Sequence, residues 1–188
     1  SLMENRGQAV ARGSVTRLID RVRMFGLHLV PLEIREDARR FSAAIGEIFE
    51  HYRLCENYAD LDEAEKQRLL RTEIDNPRPL LPCNQRFSET TNQVIAIWQL
   101  VADVHKRYGS RVVDCVIARM SRQPSDVLTM LLFALEVRVA DDLDLVPLFE
   151  TIDDLRHAPE VMKTLFETAA YADHLEKRER HQVVMIGD

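Results

Sequence analysis

The sequence predicts a helix-rich α/β fold with parallel strands, and two patterns carry that reading. Short, β-branched or continuously apolar runs have the length and composition of buried strands. They lie near residues 27–34 (LHLVPLEI), 111–119 (RVVDCVIAR), 143–150 (LDLVPLFE) and 182–188 (QVVMIGD). Between them run longer stretches whose apolar residues recur at helical spacing. Strands joined by helical crossovers pair in parallel, because each crossover returns the chain to the same end of the sheet. Four strands do not close an eight-stranded barrel. Residues 1–188 therefore read as a single piece of a (β/α) barrel of the TIM type, with the rest of the barrel expected upstream and downstream.

Taken in order, Val15, Leu18, Ile19, Val22 and Phe25 form one helical face, with Gly26 as its stop. Pro31 cannot donate a ladder hydrogen bond, so it belongs at a bulge or near the start of the first strand, which ends at Arg35. Phe41, Ile45, Ile48, Phe49 and Tyr52 predict a helix from about Asp37 to Leu54. Another begins near Asp60 or Asp62 and runs through Leu70, before the three prolines of NPRPLLPCNQ, residues 76–85, enforce a loop. Ser88 caps a long helix with Val94, Ile97, Trp98, Val101 and His105 on its buried stripe, ended by Gly109. Pro124 and Ser125 start a helix that reaches Val137. Helices from Pro159 to Glu167 and from Ala169 to Arg180 complete the set.

Composition excludes several classes. A net charge of −6 gives no general attraction to nucleic acid or anionic membranes. The longest apolar run, Met130 to Leu135, is far short of the roughly 20 residues of a membrane span. Cys55, Cys83 and Cys115 are odd in number and form no CxxC, as expected of reduced thiols in a cytoplasmic protein and not of a structural zinc site. Asp153 and Asp154 suit the first turn of a helix, and Asp141, Asp142 and Asp144 a solvated turn. The six histidines read as surface or packing residues.

In barrels of this kind the working groups stand where the strands end. Arg35, Glu150 and Asp188 are charged residues at predicted strand ends. Two carboxylates and an arginine on one rim suit a divalent metal beside a phosphate or carboxylate. A charge at a strand end is as often only the first solvated residue, and spacing does not decide between the two.

The segments FGLHLVPLEIRED, EAEKQRLL with RPLLP, MSRQPSDVLTMLL, VPLFETIDDLRHAPEVM and VVMIG, in that order, resemble the middle of phosphoenolpyruvate carboxylase over nearly the whole chain. The resemblance implies carboxylation of phosphoenolpyruvate by bicarbonate to oxaloacetate and phosphate, with Mg2+ or Mn2+ as cofactor, in a cytoplasmic enzyme feeding the tricarboxylic acid cycle. Glu150 matches the metal-binding glutamate of PLFET, and Arg35 matches the arginine that faces phosphoenolpyruvate. The second metal carboxylate of the family is the aspartate of GYSDS. Here Asp188 follows Gly187 directly, so it supplies that ligand through a shortened loop or is unrelated to it. The TAHPTE histidine and the RGG loop of the family are absent from these residues, and the chain alone is expected to be inactive. Exposed strand edges predict self-association as a homo-oligomer. The competing readings are a helical interaction module without catalysis, and another magnesium-dependent barrel acting on phosphoenolpyruvate or pyruvate.

Overall fold

The computed structural model describes residues 7, 11–26, 30–76, 78–81 and 87–187. The chain divides into two compact units, residues 1–31 and 32–188. In the first, helix α1 (Thr16–Phe25) ends where Gly26 takes a φ of 58° and returns its N–H to Val22 at 2.8 Å. The apolar face read from its periodicity is present but exposed, at Leu18, Ile19, Val22 and Phe25.

The second unit is a parallel sheet with helices between its strands. The strands are β1 (Leu32–Asp37), β2 (Val113–Arg119), β3 (Asp144–Phe149) and β4 (Met185–Ile186), neighbours in sequence order and parallel throughout. Helices α2 (Ala38–His51), α3 (Glu63–Ile74) and α4 (Glu89–Tyr108) connect β1 to β2. Helix α5 (Pro124–Glu136) connects β2 to β3, and α6 (Ile152–Glu167) and α7 (Ala169–Lys177) connect β3 to β4. A helix-rich α/β unit with a four-stranded parallel sheet is what the strand and helix pattern predicted.

Local chemistry sets the helix starts. Asp37 accepts from Arg39 N–H at the head of α2, and Ser88 from Thr91 N–H at the head of α4. Asp62 with Glu65, and Thr151 with Asp154, form reciprocal capping boxes on α3 and α6. Glu63 caps a helix other than its own: its carboxylate accepts from Ser125 N–H at 2.9 Å and Ser125 Oγ at 2.7 Å, at the start of α5. Glu136 accepts from Leu80 N–H and Leu81 N–H, which pins the proline-rich connection to the end of α5.

Alternation along the strands divides the sheet into two faces. Val116, Ala118, Leu145 and Phe149 turn to the helix layer and join the main core. There Trp98 stacks on Phe133 at 5.9 Å and meets Phe41 at 5.8 Å. Ile117, Val146 and Leu148 turn the other way and form a small separate cluster with Cys115, Val183 and Met185.

Several boundaries differ from the sequence reading. Strand β1 starts at Leu32, just after Pro31, and continues to Asp37, so Arg35 lies inside it; Leu27–Leu29 fall outside the described residues. The missing N–H of Pro31 makes it a poor ladder residue, and Glu33, Arg35 and Asp37 extend the strand because alternate side chains leave the core. Helix α6 starts at Ile152, with Pro159 in its interior, because the Thr151 box nucleates the helix ahead of the proline. Strand β4 covers only Met185–Ile186 of the predicted 182–188. Asp144 is the first residue of β3 and pairs with Arg178, where a solvated turn was expected.

Candidate functional site

The sheet face opposite the helices carries the charged residues. Arg35 shares a hydrogen-bonding row with Ile117 of β2 and Val146 of β3. Its guanidinium pairs with Glu33, Nε donating at 2.6 Å, and both side chains are about half exposed. Glu150 immediately follows β3, and the alternation that sends Phe149 to the core sends Glu150 to the same face as Arg35. It stands four residues beyond Val146, roughly 13 Å further along the strand direction. One face therefore holds both residues, Arg35 within the sheet and Glu150 at its rim.

The rim is built around the Glu150 carboxylate. Its Oε2 accepts from Met120 N–H at 2.9 Å, while Arg119 Nε stands 3.8 Å from Oε1. Met120 has a φ of 57°, a conformation that costs a non-glycine residue on the order of 1–2 kcal/mol and that turns the end of β2 toward β3. Bonds from Ser121 N–H to Leu148 O at 3.1 Å and from Ser121 Oγ to Ala118 O at 2.8 Å hold that turn in place. On the other side, Gly187 donates its N–H to Phe149 O at 2.9 Å. A Cβ on Gly187 would lie 3.2 Å from Glu150 Cα and 3.5 Å from its Cβ and Cγ, so glycine is what lets β4 close on this residue.

The neighbouring titratable groups are settled by local partners. A bidentate hydrogen bond from Arg39 holds the Asp37 carboxyl below the usual carboxylate range, against a smaller burial cost, and the charge of Arg119 adds to that. Burial, with the Asp114 carboxylate beside it, pushes the Cys115 thiol up to about 12, so it is protonated at neutral pH and no nucleophile. Among the described residues no group of three His, Cys, Asp or Glu side chains forms a metal cage. Glu150 offers one carboxylate, and one hard oxygen donor fits a divalent ion that keeps its remaining positions for water and ligand. Asp188, the other proposed carboxylate, lies outside the described residues.

A family model described as phosphoenolpyruvate carboxylase matches residues 1–188. The chain belongs to the phosphoenolpyruvate carboxylase family. The phosphoenolpyruvate carboxylase of Roseiflexus castenholzii is 38% identical over 192 residues, covering 100% of this chain and 20% of the relative. That of Aromatoleum aromaticum is 37% identical over 195 residues, covering 100% and 21%. That of Gloeobacter violaceus is 37% identical over 177 residues, covering 90% and 19%. The chain thus spans about a fifth of the length of the curated relatives it matches. The family read from LEIR, PSDVL and PLFET is borne out.

Strand-end reasoning passed over one residue of this rim. Arg119 closes β2 as Glu150 follows β3, and the predicted strand 111–119 already ended on it. The same rule that selected Arg35 and Glu150 selects Arg119. The Met120 N–H and the close approach of Gly187 had no comparable signal, because both depend on which strands become neighbours.

Proposed function

We propose that these residues form the central part of a phosphoenolpyruvate carboxylase, a cytoplasmic lyase that joins bicarbonate to phosphoenolpyruvate and releases oxaloacetate and phosphate. Family membership over residues 1–188 is the observation that carries this reading. The parallel strands in sequence order support a place within a TIM-type (β/α) barrel, since consecutive parallel neighbours are how such barrels are built. In that setting the face bearing Arg35, Arg119 and Glu150 is the barrel interior and its mouth.

Each residue type suits its role. In the overall reaction the phosphoryl group passes to bicarbonate, leaving carboxyphosphate and the enolate of pyruvate; carbon–carbon bond formation then releases phosphate. Arg35 lies on the interior face, where its planar fork can hold a phosphate or carboxylate oxygen pair that a lysine would meet only as a point charge. Pairing with Glu33 keeps its charge balanced until an anion arrives, and an exposed pair of this kind is worth only about 0–1 kcal/mol, so release costs little. Glu150 would hold the divalent cation, its orientation fixed by the Met120 N–H and its second oxygen left for the ion. Asp188 is the further carboxylate that sequence resemblance assigns to that ion. When bound, Mg2+ or Mn2+ stabilises developing enolate charge as a Lewis acid. The sheet edges at β1 and β4 support self-association of the isolated chain as a homo-oligomer.

Three measurements test the reading. Titration of Mn2+ followed by its electron paramagnetic resonance signal should give a bound population that Glu150→Gln removes, and phosphoenolpyruvate binding should weaken at least tenfold in Arg35→Gln. Unchanged binding in both variants sinks the assignment of this face. A coupled oxaloacetate assay on the 188-residue chain should stay at background, since these residues contain neither a TAHPTE histidine nor an RGG loop.

A further inference from the structure

The functional reading leaves Arg119 without a task. Its contact with Glu150, 3.8 Å from Nε to Oε1, is longer than a hydrogen bond, and its side chain is 53% exposed. Its register partner Asp37 is gripped by Arg39, with Nε at 2.9 Å and Nη2 at 2.5 Å, and receives only a longer-range field from Arg119. A structural arginine–carboxylate pair is short and two-pronged, as Arg39 with Asp37 shows at the end of the neighbouring strand. The Arg119–Glu150 pair is neither. Arg35 on the same face has a short acceptor in Glu33, and Arg122 in the adjoining loop is 3.2 Å from Asp154. Among the described residues, Arg119 is the strand-end cation whose charge is balanced while its donors have no short acceptor.

We propose that Arg119 is a second anion-binding side chain of this mouth. It gives Glu150 a loose counter-charge until a cation takes that place, and then turns its donors to the phosphate or carboxylate of the anionic substrate. This role for Arg119 rests on the proposed function, in which Glu150 holds a divalent ion and Arg35 faces the substrate. Like charges at this distance repel, so a cation beside Glu150 drives the guanidinium outward, and the half-exposed side chain has room to swing. The strand end fixes its Cα and the tight Met120–Ser121 turn fixes the backbone after it, so only the side chain has to move. Arginine suits the task because its fork matches an oxygen pair and its charge never titrates.

The test uses the whole 188-residue chain with Mg2+ and phosphoenolpyruvate as probes, following arginine Nε resonances by NMR. Phosphoenolpyruvate added with Mg2+ should shift the Arg119 signal. In Arg119→Gln, phosphoenolpyruvate should bind about tenfold more weakly, the loss of one charge-assisted contact, while Mg2+ alone binds more tightly because its competitor is gone. Arg119→Lys should recover part of the anion affinity. A merely structural arginine does not move the two affinities in opposite directions. If Arg119→Gln binds both probes as the wild type does, or loses both together, the proposal is overturned; should Arg35→Gln alone then abolish anion binding, the underlying functional reading still stands. A wild-type chain that responds to neither probe overturns both.

Discussion

The two faces of the sheet are built from the same strands and obey opposite rules. On the helix side, Val116, Ala118, Leu145 and Phe149 lie in a dry layer with Trp98, Phe41 and Phe133, all fully or almost fully buried. On the other side, among the described residues, Ile117, Val146 and Leu148 form a small buried cluster on the face that also carries Arg35, Arg119 and Glu150. The helix face carries stability, because apolar area removed from water dominates folding energetics. The open face is thin in apolar contacts and carries partly exposed charge pairs, which contribute little stability and leave the groups within reach of a ligand. The fold can thus change its chemistry on one face without disturbing its core on the other.

The comparison can be broken most directly at Trp98. Trp98→Ala should cost about 3–5 kcal/mol in urea unfolding, while Trp98→Phe costs clearly less, since the buried indole N–H has no partner to lose. A next effect comes from His174, buried beside Tyr171. Burial, helped by the charge of Arg178, lowers its pKa from 6.5 to about 4. The folded value lies below the unfolded one, so the unfolded chain binds the proton first, and stability falls as pH drops from about 6.5 toward 4. The expected loss is on the order of 2 kcal/mol, read from unfolding midpoints across that range, and His174→Gln should flatten the slope.

Thr151→Ala removes the cap of α6 and should cost about 1 kcal/mol by the same measurement. The smallest effects belong to the open face. Arg35→Gln and Glu150→Gln should each change stability by less than about 0.5 kcal/mol. A loss above 2 kcal/mol in either would show that these charges hold the fold together, and the division between the faces would collapse.

Much of the architecture was legible because periodicity and caps are local. Phe41, Ile45 and Ile48 marked the buried stripe of α2, Ser88 and Gly109 bounded α4, and Pro124 placed the start of α5. Strand β1 was misplaced because its alternation of Ile34 with Glu33 and Arg35 reads as the end of a buried run, while LHLVPL ahead of it reads as the run itself. The start of α6 was missed because Pro159 was read as the helix start, whereas the Thr151–Asp154 box sets it seven residues earlier, at Ile152. For the site, the sequence supplied Arg35 and Glu150 as charges near strand ends, and the structure places both on one sheet face. Arg119 was equally available and went unused.

The order of strands and helices, the caps at Ser88 and Pro124, the family and the charged positions near the strand ends were all readable along the chain, since each is written in residues close together in sequence. Tertiary structure alone decided which charges share a face, that Met120 bends back to donate its N–H to Glu150, and that β4 comes close enough to require Gly187. Those relations join residues about 30 or more positions apart, and strand register, which no local pattern encodes, sets the distances between them.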